Sequence, residues 1–231
     1  MQKTLMRHAI MIHTMNTKTA TLIIVMLIIA SAGASFALYP SLPQSMASHW
    51  GLAGEPNGFM TKAWGAFFPP VLMAALFGLF AVLPSIDPLK RNVQESRSAY
   101  NLVIVSIIGF LALIHGYALA WNIGLRLPVA RVMIPLTALL FFVIGSALPK
   151  TKQNWFMGIR TPWTMSSETV WRKTHEHAGK AFQWAALAML LGLLFPRAGF
   201  AIVIGSILGT VIWTVLYSYF AYAKSRDAHK Q

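Results

Sequence analysis

Long apolar runs alternate with short polar connections from residue 20 almost to the end of the chain. The runs are approximately Ala20 to Leu38, Ala66 to Leu83, Leu102 to Trp121, Val132 to Leu148, Phe182 to Phe195 and Phe200 to Tyr222. A hydrocarbon layer about 30 Å thick takes roughly 20 apolar residues in helical form. Six spanning helices are therefore expected, the fifth run being the shortest. The predicted fold class is an all-α integral membrane protein, a bundle of about six transmembrane helices. No repeat of fixed period and no low-complexity linker divides it.

The connections carry the charge, and they carry it unevenly. Fifteen of the nineteen Lys and Arg fall on one set of connections and four on the other. The rich set holds Lys3, Arg7 and Lys18, then Lys90, Arg91 and Arg97, six residues between runs four and five, and finally Lys224, Arg226 and Lys230. The poor set is Lys62, Arg126, Arg131 and Arg197. Cytoplasmic loops retain positive residues, so both termini are expected to be cytoplasmic and the chain multi-pass in the plasma membrane. Ala32-Gly33-Ala34 has the look of a signal-peptide cleavage site, but the run before it exceeds the roughly 7 to 15 residues of a signal peptide, so a retained anchor is expected. Methionines at 6, 11 and 15 allow a later start, with residues 1–14 as an extension.

Composition agrees with a membrane chain: 56% hydrophobic, 11% charged, mean hydropathy +0.59. The absence of cysteine excludes disulfides, thiolate metal sites and a cysteine nucleophile. A net charge of +13 would suggest nucleic acid on a polar domain; here the basic residues sit in clusters beside apolar runs, a topology signal, so no direct nucleic-acid binding is expected.

Two polar connections carry candidate chemistry. The outer one, residues 39–65, is broken by prolines and glycines, and Glu55-Pro56-Asn57-Gly58 suits a tight turn. Tyr39, Pro40, His49, Trp50 and Glu55 are its contact candidates, although interfacial aromatics alone would explain the rings. His49 with Glu55 lacks a third metal ligand. The inner one contains GIRTPWTMSSETVW from residue 158. Arg160 precedes Thr161-Pro162, which favours extended backbone. A helix should start after Ser166 or Ser167, with Glu168 in its first turn and Val170-Trp171 opening its apolar side. His175-Glu176-His177 has the letters of a zinc motif in the wrong order, since histidines two apart on a helix diverge by about 200°. Glu176 is badly placed to orient His175 for Ser167 or Thr174 as nucleophile. Neither a catalytic residue nor a metal or other cofactor is expected. Arg160 suits a carboxylate or phosphate.

Within the runs, His115 is the only Asp, Glu, Lys, Arg or His well inside a span, and it is read as bonded to a neighbouring helix. It is also, with Asn122, the candidate path of the alternative reading, a small transporter or channel for an ion or solute.

The two connections together resemble the SdpI family of bacterial integral-membrane immunity proteins. The outer part resembles the associated DUF1648 region at Tyr39-Pro40, Leu42-Pro43, His49-Trp50, Gly54, Glu55-Pro56-Asn57-Gly58 and Pro69. The inner part is the more specific: Asn154, Gly158 to Thr164 (with Gly158, Arg160, Thr161, Pro162, Trp163 and Thr164), Val170-Trp171, Thr174-His175 and Gly179. One departure is visible, Gly51 where the family often has Asn or Asp. On this basis residues 1–17 form a cytoplasmic N-terminal extension. Residues 18–148 form a DUF1648-like membrane region of four spans, and residues 149–231 an SdpI-like region with a cytoplasmic loop and two spans. The resemblance implies protection against a secreted antimicrobial peptide or toxin, in some systems coupled to a cytoplasmic transcriptional regulator. The expected partners are thus the lipid bilayer, that peptide and such a regulator, with Trp163 and Trp171 anchoring or binding at the interface.

Overall fold

The computed structural model describes residues 15–195 and 198–227. The expected extension over residues 1–14 lies outside the described residues, as do Arg197 and Lys230. The chain begins with α1 (Thr17–Leu38), started by Asn16, whose side chain accepts from Thr19 N–H at 2.8 Å. A 3-10 turn at Tyr39–Ser41 leads into strands β1 (Ser45–Trp50) and β2 (Pro56–Thr61). Then come α2 (Lys62–Ile86), the short α3 (Lys90–Glu95), α4 (Arg97–Asn122), α5 (Val129–Ala147), a short α6 (Pro162–Ser166), α7 (Glu168–Leu191) and α8 (Gly199–Asp227).

Among the described residues five helices, α1, α2, α4, α5 and α8, are long and apolar enough to cross a membrane. The expected fifth span is different. At 24 residues α7 is long enough, yet its first thirteen residues carry Glu168, Arg172, Lys173, Glu176 and Lys180. Only its second half and the turn Gly192–Leu194 match the apolar run Phe182 to Phe195. Exposed apolar side chains such as Leu22, Phe36, Leu79, Leu139, Trp213 and Phe220 clothe the outside of the bundle. In water such a surface would drive aggregation; lipid tails cover it at no cost.

The helices pack as two trios. In the first, α1, α2 and α4 close around Ile24, Met73, Tyr100, Ile104 and Ile108. In the second, α5, α7 and α8 close around Ile134, Ala138, Ala185, Met189 and Val203. The α4–α5 contact joins the trios, and α5, the fourth span, packs chiefly against α7. Gly145 on α5 and Gly179 on α7 let those helices cross at close range. A Cβ on either would lie 2.7 Å from the other's carbonyl oxygen.

The outer connection departs from an all-α reading, because it folds as an antiparallel hairpin. The reversal is at Gly51 to Glu55, with Gly51 N–H bonded to Glu55 C=O at 2.8 Å and Gly54 at φ +89°. The expected turn at Glu55 to Gly58 is therefore shifted: Pro56 opens β2, a position where proline costs no interior ladder bond. Glycine at 54 takes the left-handed backbone that the reversal needs.

Candidate functional site

The inner connection folds around two buried polar side chains. Asn154 accepts from the N–H groups of Phe156 and Met157 at 2.9 and 2.7 Å. Its amide donates to the carbonyls of Lys152 and Met157 at 2.9 and 3.0 Å. An Asn so engaged stands in for the helix or strand that this segment lacks. His175, fully buried on α7, is the second. Ile159 N–H donates to its Nε2 at 2.9 Å, which makes that nitrogen the lone-pair bearer. Nδ1–H then donates to Trp171 C=O at 2.8 Å. The ring stacks on Trp171 at 4.0 Å, and burial pushes its pKa down to about 4, so it is neutral at physiological pH.

Gly158 is required twice over. Its φ is +110°, and a Cβ there would lie 2.4 Å from His175 Nε2. Thr161 and Thr164 form a capping box, each hydroxyl accepting from the other's N–H at 3.2 and 2.9 Å, with Pro162 in the first turn of α6. Thr161 Oγ also meets Ser218 Oγ of α8 at 3.1 Å, and Trp163 packs edge-on against Tyr219 at 5.2 Å. Trp171, expected at the interface, is instead buried, its indole N–H donating to Thr151 C=O at 2.9 Å. Thus Asn154, Gly158, Thr161, Thr164, Trp171 and His175 come together to fold the loop, while Gly179 serves the helix crossing. Arg160 faces outward, its guanidinium donating to Trp155 C=O, beside the exposed Trp155 and Phe156.

Sequence reasoning missed what this loop docks on. The fully buried Asp87 accepts from Leu89 N–H at 2.7 Å and from Trp155 N–H at 2.9 Å. Asn92 donates to Gln153 C=O at 2.8 Å, and Ser96 Oγ accepts from Lys152 N–H at 2.7 Å. Glu95 pairs with Lys152 and Arg91, which hold its carboxyl below the usual range. Asp87 stands before a proline at the end of an apolar run, the one signal that could have found it. Beside this contact a recess of about 410 Å³ is lined by Lys150, Lys152 and Arg172, with Glu168 as its one acid.

At the opposite end of α4 lies the hairpin. Asn122 grips it, accepting from Ala47 N–H at 2.8 Å and donating to Ala47 C=O at 3.0 Å. Trp50 packs against Tyr117 and Trp121 at 5.3 and 5.6 Å. His49 Nδ1 meets Asn57 Oδ1 at 2.5 Å. Glu55 is exposed, and its carboxylate lies over Gly51, where a side chain's Cβ would come within 2.4 Å of Oε1. Gly51 thus leaves room for Glu55 to fold back. Tyr39 carries Lys62 Nζ over its ring at 4.7 Å, and Pro40 lies in the 3-10 turn.

Mid-bundle, both nitrogens of His115 are engaged. Ser35 gives its proton to Ala66 C=O at 2.6 Å, so it accepts from Nε2–H at 3.3 Å; Ser31 donates to Nδ1 at 2.5 Å. The two candidates of the transporter reading, His115 and Asn122, are thus both held in contacts that join elements of the fold.

Residues 150–218 match the SdpI/YfhL protein family, and residues 26–74 match a domain of unknown function, DUF1648. The chain is 25% identical over 194 residues to Immunity protein SdpI of Bacillus subtilis (strain 168), covering 82% of this chain and 89% of that relative. No solved structure matches the chain. Both polar connections lie inside these matches, and the similarity to the SdpI family runs through the spans between them.

Proposed function

We propose that this multi-pass membrane protein is an immunity protein that protects its cell by binding a secreted antimicrobial peptide or toxin, without catalysis. What supports this most is similarity to a protein named for immunity that runs across both polar connections. The hairpin end faces outward in this reading, and the loop around His175 faces the cytoplasm with both termini. The charge asymmetry supports that orientation. Arg160 and the cations of the neighbouring recess are the surface for an acidic partner there, a lipid phosphate or a segment of a cytoplasmic regulator.

The experiment is survival of a sensitive bacterium expressing the chain under challenge with a panel of secreted antimicrobial peptides. Wild type is compared with Arg160→Ala at matched membrane levels. Protection by wild type and its loss in Arg160→Ala is the expected result. Protection by both leaves immunity standing and makes Arg160 dispensable. No protection against any peptide sinks the immunity reading.

A further inference from the structure

The hairpin has one closed edge and one open edge. In an antiparallel pair, opposed residues either exchange both main-chain bonds or turn both N–H and C=O away from the partner. Ala47 is of the second kind, since Asn122 takes both of its groups. Its partner Phe59 therefore directs its own N–H and C=O to the far side of β2. The bond from Lys62 N–H to Gln44 C=O at 2.9 Å fixes the same alternation and turns Thr61 outward as well. The C=O of Thr61 heads α2, and among the described residues no side chain or loop bonds to the outward groups of Phe59. The Phe59 side chain is 60% exposed.

Beneath the hairpin lies a cavity of about 210 Å³, walled by Trp50, Met60, Phe68, Leu72, Ile114 and Ala118 among others. The buried indole N–H of Trp50 has no acceptor among the described residues. The volume is below the roughly 300 Å³ at which drug-sized sites begin, so it suits one large apolar side chain rather than a whole molecule.

We propose that the open edge of β2 takes an extended segment of the secreted peptide as a third strand, one of whose apolar side chains fills this cavity. The proposal rests on the immunity reading above. An open edge offers donors and acceptors in alternation, and lipids supply ester and phosphate acceptors but few matching donors; another main chain satisfies both, with pockets for alternate side chains. Charge biases the register: Glu55 precedes β2 and Lys62 follows it, so a segment that sets a basic residue beside the first and an acidic one beside the second is favoured.

The test uses the full chain and, as probe, the peptide preparation against which wild type protects. Phe59→Pro removes the outward N–H and leaves the β1 ladder intact. It is expected to lower the inhibitory concentration by about tenfold or more at matched membrane level. Leu52→Ala, at the exposed tip of the hairpin, is expected to stay within about threefold. Because the chain has no cysteine, Thr61→Cys carries a single thiol, and the preparation should slow its labelling by a maleimide. Should Phe59→Pro reach the membrane poorly, Ala118→Leu narrows the cavity without touching the strand, and a similar loss is expected. Full protection by Phe59→Pro, or Thr61→Cys labelling unchanged by a preparation that wild type resists, overturns the proposal. A Thr61→Cys disulfide dimer formed without peptide also overturns it, by giving the edge to a second copy. Absence of protection by wild type fails the immunity reading itself, an outcome none of the variants imitates.

Discussion

Gly158→Ala measures how far the inner loop depends on one histidine. The substitution acts twice. At φ +110° a side chain is strained, a cost of about 1–3 kcal/mol. The new Cβ would sit 2.4 Å from His175 Nε2, so the imidazole must leave its place against Trp171. Ile159 N–H then loses its acceptor, and an unpaired buried donor costs about another 1–3 kcal/mol. The sum, about 4 kcal/mol, is a large part of the 5–15 kcal/mol that holds a typical fold. Gly54→Ala is the internal control: its φ is +89°, but nothing lies within 4 Å of the new Cβ, so only the backbone cost applies. Unfolding of the purified proteins in detergent, followed by tryptophan fluorescence, gives the two losses. Equal losses would refute the argument, because the histidine wedge would then contribute nothing.

His175 also sets a pH dependence. Its folded pKa, about 4, lies below the ordinary 6.5, so the unfolded chain takes up the proton first. Stability is full above about pH 6.5 and declines by about 3 kcal/mol as pH falls to about 4; His175→Gln should flatten that slope, and an unchanged slope would assign it to other groups. Gly179→Val should separate α5 from α7, because its Cβ meets Gly145 C=O and the Pro149 ring at 2.7 Å. The expected loss is about 3 kcal/mol or more, read as a lower unfolding midpoint, and a midpoint within a degree of wild type would mean the crossing adapts freely.

The membrane bundle was legible because a spanning helix declares itself by length and hydropathy, with little need of tertiary information. The start of α7 after Ser167 was legible for a similar reason: Ser167 accepts from Val170 N–H, a local capping arrangement. The hairpin was not, since its ladder depends on residues that pair across a reversal and on Asn122, 75 positions from Ala47. The hydrophobic face that would fix its register is short and interrupted by shifts at Ser48 and Asn57. In the inner loop, the sequence marked the residues but left their tasks undecided. His175 and Asn154 have the chemistry of binding residues, and only the positions of Ile159, Phe156 and Met157 reveal that their bonds are spent within the chain. Asp87 was overlooked because its partner, Trp155, is 68 residues away.

Helix α4 runs unbroken for 26 residues, about 39 Å, with Ser96 and the Lys152 contact at its first turn and Asn122 holding the hairpin at its last. It contains neither a proline nor a positive-φ residue to absorb a bend. Force applied to the hairpin through Asn122 therefore travels as the tilt or slide of one stiff rod. Its far end rests on the segment that also seats Trp155. A load on one end of the bundle is felt at the other without any change in secondary structure between them.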